Sequence, residues 1–178
     1  MNKILADMHT HTIASGHAYA TLTEMCKEAA SKGLEIYGIT EHSSGIPGTC
    51  ADLYFKNLGV VPRNLFGLDL RLGAEINIID YNGTLDLGQE YIDRLDFVIA
   101  GIHSVCYKFG SKEENTAAII NAIKNPNVNI ISHPDDGRCP LDYEALVQAA
   151  KEYHVLLEIN NNALRDKNRK NVKRKPEN

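Results

Sequence analysis

The placement of histidine constrains the fold of this chain more than any other feature. Seven histidines occur in 178 residues, and most of them follow short apolar runs. Those that come directly after such a run, or a few residues beyond it, are His9, His11, His42, His103 and His133. In parallel α/β folds, active sites gather at the carboxyl ends of the strands. The pattern therefore predicts a parallel sheet with these imidazoles together on one side.

The segments between these histidines alternate between strand-like and helix-like patterns. Apolar runs predict strands at residues 4–6, 34–39, 70–79, 97–102, 128–131 and 155–159. Helices are predicted from Thr21 to a cap at Gly33, and at residues 89–95, 111–124 and 142–153. Capping boxes begin two of these helices, at Thr21 and Ser111. Alternation with short linkers is typical of βα units and predicts an α/β fold.

Composition excludes several classes of protein. The net charge is -4 and the pI is about 6.0, values that do not favour nucleic acid or anionic membranes as partners. No apolar run approaches the roughly 20 residues of a membrane span, and the N-terminus becomes polar too early for a signal peptide. The four cysteines are far apart and form no CxxC pair, so neither a zinc ribbon nor a disulfide scaffold is indicated. These features predict a cytoplasmic protein.

Two regions differ in composition. Residues 1–164 form the predicted metal-binding domain, whereas residues 165–178 contain seven basic residues and Val172 as their one strongly apolar residue. Such a segment cannot pack as a core element and is predicted to be an exposed or disordered tail. A nucleic-acid-binding arm is the alternative interpretation, and a solvated end is favoured over it.

Metal binding is the chemistry that these histidines predict. Residues i and i+2 on a strand share a side, so His9 and His11 can face one ion. Glu75 lies in a strand whose neighbours Ala74 and Ile76 indicate burial, and a buried carboxylate needs a partner such as a metal. The predicted ligands are His9, His11, His17, His42, Glu75, His103 and His133. A catalytic zinc takes about three protein ligands and water, so this set predicts two or three ions. His154, at a helix end, is interpreted as incidental.

Short motifs around these residues resemble those of the PHP (polymerase and histidinol phosphatase) family. DMHTHT at 7–12 resembles the opening D-x-H-x-H-T, and ITEH at 39–42 resembles the second motif, usually T-D-H. Further similar motifs are GAEIN at 73–77, AGIH at 100–103, ISHP at 131–134 and LEINN at 157–161. SGHA at 15–18 is most similar to a small bacterial subgroup with a trinuclear zinc site.

The resemblance implies a distorted (β/α)7 TIM-like barrel that hydrolyses small phosphate monoesters through a metal-activated water. It implies one ion at His9, His11 and Glu75, with Glu75 bridging to a second ion. The second ion would also bind His103 and His133, and a third would bind His17 and His42. Zn²⁺ is the expected metal, with Mn²⁺ or Fe²⁺ as alternatives. The family's last D-x-H motif is absent from this sequence, so we expect a barrel truncated after about six strands, with one ligand fewer at the first and third ions.

Other interpretations remain open at this point. Arg63 and Arg138 are candidates for binding the substrate phosphate, because a guanidinium matches phosphate oxygens in pairs. An H-x-H after a first strand also opens amidohydrolase barrels, but those usually need a mid-barrel lysine, and no strand-end lysine is evident here. A second alternative is a metal-binding domain of this family that is inactive or non-catalytic.

Overall fold

One sheet forms the framework of the molecule. A computed structural model describes residues 4–160. Its strands are β1 (Ala6–Asp7), β2 (Ile36–His42), β3 (Asn64–Leu65), β4 (Leu68–Asn77), β5 (Phe97–Gly101), β6 (Ile130–Ile131) and β7 (Leu156–Leu157). Its α-helices are α1 (Leu22–Ser31), α2 (Leu53–Asn57), α3 (Gln89–Ile92), α4 (Lys112–Ile123) and α5 (Tyr143–Tyr153). Short 3₁₀ helices lie at Ile13–Ser15 and Leu58–Val60.

The strands run in the order β1-β2-β4-β5-β6-β7, and every neighbouring pair in this order is parallel. β3 is the exception, because it pairs antiparallel with β4. The six parallel strands curl into part of a TIM-like barrel, which confirms the predicted α/β fold class. All their carboxyl ends therefore lie along the same rim of the sheet.

β4 lies at the centre because its side chains are apolar on one face and compact or polar on the other. Leu70, Leu72, Ala74 and Ile76 are each 0% exposed and pack in the hydrophobic core. Alternation along the strand directs the side chains of Glu75 and Asn77 to the opposite, concave face. Both are also buried, at 1% and 0% exposure. The central strand thus presents a carboxylate to the interior of the curled sheet.

The capping signals locate the helices correctly. The side chains of Thr21 and Ser111 each accept a hydrogen bond from a backbone N–H in the first turn. The side chains of Glu24 and Glu114 accept from the backbone N–H of Thr21 and Ser111 in turn, so both capping boxes are formed. A turn at Asn82-Gly83 follows β4, and Ile78 and Leu85 bridge antiparallel across it. Among residues 4–160, no helix is both long and apolar enough to cross a bilayer.

The region between β2 and β4 is more regular than the sequence indicates. Residues 43–69 lack a clear pattern, yet they contain α2, a 3₁₀ helix and β3. β3 is only two residues long and exists because Phe66 and Gly67, with φ of 55° and 85°, turn the chain back against β4. Phenylalanine rarely adopts a positive φ, so no standard turn signal predicts this hairpin. The predicted basic tail lies outside the described residues.

Candidate metal centre

The structure brings all seven predicted ligands to one cluster at the rim. Each comes from the carboxyl end of a strand or the loop after it, because parallel strands deliver their ends to one side. His42 ends β2, Glu75 lies near the end of β4, and His103 and His133 follow β5 and β6 by two residues. Together with Asn160 they line a cavity of about 450 Å³. The strand-end rule therefore predicted that these side chains cluster.

Glu75 is the centre of the cluster. Its Oε2 lies 3.1 Å from His9 Nε2, 3.2 Å from His11 Nε2 and 3.1 Å from His42 Nδ1. Its Oε1 lies 3.2 Å from His103 Nε2 and 3.0 Å from His133 Nε2. One buried carboxylate thus contacts five imidazoles, divided between its two oxygens.

Within the described part of the chain, three subsets of donor atoms are compact enough to hold one ion each. In every subset the ligand atoms lie within 4.8 Å of one another. The subsets are His9, His11 and Glu75; His42, Glu75 and His103; and His11, His17 and His42. The first equals the set implied by the family resemblance. In the third, His11 accompanies the expected pair, and its ring stacks on that of His42 at a centroid distance of 4.4 Å.

The donor chemistry fits metal ions. The Nε2 atoms of His103 and His133 lie 3.2 Å apart, and both face Glu75 Oε1. When both nitrogens are unprotonated, as metal ligands must be, their lone pairs repel unless a cation lies between them. His42 Nδ1 is likewise buried without a hydrogen bond among the described residues. Imidazole with carboxylate is a donor set suited to zinc and related divalent metals.

The charges of the side chains in the cluster also favour a cation there. Burial by itself raises the pKa of Glu75, but hydrogen bonds from His103, His11 and other histidines lower it well below its usual value. Burial opposes protonation of His9, yet its bonds to Glu158 and Glu75 prevail and raise its pKa to about 10. Burial lowers the pKa of His42 to about 3. The carboxylates of Glu75 and Glu158 thus favour a positive charge beside them, which a proton on His9 or a metal cation in its place can supply.

Ser15 and Glu41 orient His11, a role that the sequence did not predict. Glu41 is 0% exposed and accepts hydrogen bonds from the Ser15 hydroxyl and from the Thr12 hydroxyl, the latter at 2.5 Å. Because the single Ser15 proton is donated to Glu41, the contact of 3.1 Å between Ser15 Oγ and His11 Nδ1 requires a proton on Nδ1. When His11 carries only that one proton, the lone pair of its Nε2 can bind an ion.

Glu158 was also missed as a site residue. It follows β7 directly, and its Oε1 lies 3.0 Å from His9 Nδ1. The sequence placed Glu158 inside the strand predicted at 155–159, where a glutamate usually faces solvent, whereas β7 ends at Leu157 and leaves Glu158 at the strand end. His154 lies outside the cluster and ends α5 with a φ of 57°.

The two arginines predicted for phosphate binding lie in different places. Arg63 is at the opposite end of the sheet, where its Nε binds Asp96 at 2.8 Å just before β5 begins. The backbone carbonyl of Arg63 accepts from Leu70 N near the amino end of β4, five residues before Glu75 on that strand, so the structure separates Arg63 from the cluster where phosphate binding was predicted. Arg138 lies on the loop after His133, and its Nη2 lies 2.6 Å from Asp136 Oδ2.

None of the four cysteines lines the cavity. Burial raises the pKa of the Cys50 thiol to about 11 and that of Cys139 to about 12. It also raises the pKa of Cys26 and Cys106. A thiol attacks as the thiolate, which is favoured by a lowered pKa. The cluster therefore has no cysteine nucleophile.

Comparison with known proteins finds one matching family and relatives with similar names. The family model described as PHP domain matches residues 7–164. A probable phosphatase of Acetivibrio thermocellus is 48% identical over 161 residues, which cover 90% of this chain and 67% of that protein. A probable phosphatase of Caldicellulosiruptor saccharolyticus is 50% identical over 167 residues, covering 93% of this chain and 70% of that protein. The chain thus spans about two thirds of their length.

A solved structure supports the fold. Histidinol phosphate phosphatase from Lactococcus lactis, crystallised with zinc, L-histidinol and phosphate, superposes with a TM-score of 0.55. The match covers 90% of this chain and 74% of the other, at 17% sequence identity. At that identity the similarity concerns the fold alone.

Proposed function

The chain belongs to the PHP domain family, and from this membership and the His–Glu cluster we propose that it is a metal-dependent hydrolase of small phosphate monoesters. One observation supports this most strongly: a single buried carboxylate, Glu75, contacts five imidazoles beside a cavity of about 450 Å³. A cavity of that size suits a small ligand. The names of the two relatives described above agree with this reaction class.

We propose Zn²⁺ as the metal, with ligands drawn from the seven residues of the cluster. His9, His11 and Glu75 would hold one ion, Glu75 with His103 and His133 a second, and His17 with His42 and His11 a third. When bound, such ions polarise phosphoryl oxygens and lower the pKa of a water molecule to near 7.

The residues of the chain have separate tasks in this proposal. Glu75 holds the imidazoles around a common centre, and Ser15 with Glu41 fixes the ring of His11. Among residues 4–160, Asn160 is the one residue besides the ligands that lines the cavity, so its side chain can contact the ester. Arg138, on the loop after His133, would exchange the Asp136 carboxylate for the substrate phosphate.

Chelation and alkylation should have opposite effects. Zinc-loaded protein is expected to hydrolyse p-nitrophenyl phosphate, and a chelator should abolish the reaction until Zn²⁺ is restored. Iodoacetamide at pH 7 should leave the rate unchanged, because the pKa of every cysteine is raised. The measurement is release of nitrophenolate. A rate that resists chelation, or one abolished by alkylation, contradicts the mechanism, and metal binding without turnover would identify a metal-binding domain instead.

Substitution of Arg138 tests the phosphate contact. Arg138→Ala should raise KM with little change in kcat and none in zinc content, since a binding contact present in both ground and transition states affects KM alone. Arg63→Ala is the matched control, because Arg63 binds Asp96 at the other end of the sheet. Equal KM values for the two variants would exclude Arg138 as the phosphate ligand.

A further inference from the structure

Glu158 contacts two of the proposed metal ligands at once. Its Oε1 lies 3.0 Å from His9 Nδ1, and its Oε2 accepts a hydrogen bond of 2.7 Å from the backbone N–H of His133. His9 follows β1 and His133 follows β6, so the carboxylate joins loops from distant parts of the sequence. Glu158 itself is anchored by its own N–H, which donates to Ile131 O of β6 at 3.0 Å.

The contact with His9 determines which ring nitrogen is available to a metal. An ionised carboxylate only accepts hydrogen bonds, so Nδ1 of His9 must carry the proton that it donates to Glu158. In the ring with one proton, Nε2 then has a free lone pair, and this atom is the one that lies 3.1 Å from Glu75 Oε2. Such carboxylate–histidine pairs orient metal ligands and increase their basicity.

The contact with His133 stabilises an unfavourable backbone conformation. His133 has a φ of 33°, a left-handed conformation that is uncommon for a residue with a Cβ and that persists only when the surrounding structure holds it. In this conformation its Nε2 reaches Glu75 Oε1 at 3.0 Å. The hydrogen bond from the His133 N–H to Glu158 therefore stabilises the backbone of the same residue that has this unfavourable conformation.

Asn160 completes the arrangement. Its Nδ2 donates to Glu158 Oε1 at 3.2 Å, and its backbone N–H donates to Asp135 Oδ2 at 3.2 Å. The Glu158 carboxylate therefore accepts from three donors, which fix its plane and position. Asp135 belongs to the loop that begins at His133, so the contacts tie the end of β7 to that loop twice.

We propose that Glu158 is a positioning residue that prepares two metal sites together, by fixing the ring of His9 and the backbone of His133. This inference rests on the proposed metal-dependent function. Glu158 does not line the cavity and acts through the two histidines.

Glu158→Gln is a sharp test because glutamine keeps the size but offers only one acceptor oxygen. Either His9 Nδ1–H or His133 N–H must then face the glutamine NH₂ group, which is a donor. Zinc affinity, measured by competition with a chromophoric chelator, should fall by about 10–100-fold, the range for loss of an outer-shell partner. The Nδ1 proton of His9 in zinc-loaded protein, followed by ¹⁵N-edited NMR, should lose the low-field shift that a carboxylate partner causes.

Glu152→Gln is the matched control, because Glu152 is exposed on α5. It should retain wild-type zinc affinity and the His9 signal. Equal zinc affinity in Glu158→Gln and Glu152→Gln, with an unchanged His9 signal, would overturn the positioning role. Zinc binding without ester hydrolysis would contradict the proposed function but leave this comparison valid, whereas failure of the wild-type chain to bind zinc would overturn both.

Discussion

Glu75→Gln is expected to empty most of the metal centre while the fold persists. Both Glu75 oxygens face histidine nitrogens at 3.0–3.2 Å, with three imidazoles at one oxygen and two at the other. Glutamine has nearly the same shape, but it lacks the negative charge and directs an NH₂ group at one set of nitrogens. We expect loss of at least the two ions that Glu75 would share, and a fall in phosphatase rate beyond the ~100-fold upper limit for outer-shell changes.

The measurements are zinc content by elemental analysis and the rate of aryl phosphate hydrolysis. Glu152→Gln, the exposed control on α5, should change neither. Circular dichroism should show the same secondary structure in all three proteins, which separates loss of metal from loss of fold. A Glu75→Gln protein that retains its zinc and its rate would refute the central role of this carboxylate.

Gly38→Ala is expected to disturb both the fold and the site. Gly38 lies in β2, where an added Cβ would stand 2.6 Å from Met8 O and 2.8 Å from Met8 Cα. These are backbone atoms of the segment that continues directly into His9 and His11. Restoring ordinary contact distances of about 3.5–4.0 Å requires the segment to move by about 1 Å. A displacement of that size can reduce catalysis by about 100-fold, and overpacking costs about 1–3 kcal/mol of stability.

Melting temperature, zinc content and hydrolysis rate test this expectation. Gly59→Ala is a suitable control, because a Cβ at Gly59 meets nothing within 4 Å. It should behave as wild type in all three measurements. If Gly38→Ala also matches wild type, then β1 is not held against β2 by the close approach seen in the structure.

Local patterns were sufficient to predict most of the fold. Apolar runs of strand length and two capping boxes specify their elements through contacts within a few residues, and the structure confirms them. The hairpin at Phe66 and Gly67 was missed because β3 depends on pairing with β4, which adjacent residues do not encode. Tertiary pairing therefore added the elements that lack a pattern of their own.

The site divides in the same way. Seven side chains could be chosen from sequence because the parallel arrangement sends every strand end to one rim, so position along the chain predicts position in space. Arg63 was misplaced because its loop could lead to either end of the sheet, and only the ion pair with Asp96 shows which. Glu158 and Glu41 were not predicted, because the role of a carboxylate depends on which hydrogen-bond donors surround it in the folded protein.

By itself, the sequence determined the element types, their parallel order and the set of possible ligands, since each follows from residue patterns that repeat over short distances. Only the tertiary structure decided how those ligands are shared. It placed both oxygens of Glu75 among five imidazoles. It also brought Ser15 against the ring of His11 and Glu158 against the ring of His9, and it held His133 at a φ of 33°. These features depend on distances of about 3 Å between residues far apart in the chain, the range at which hydrogen bonds form or fail.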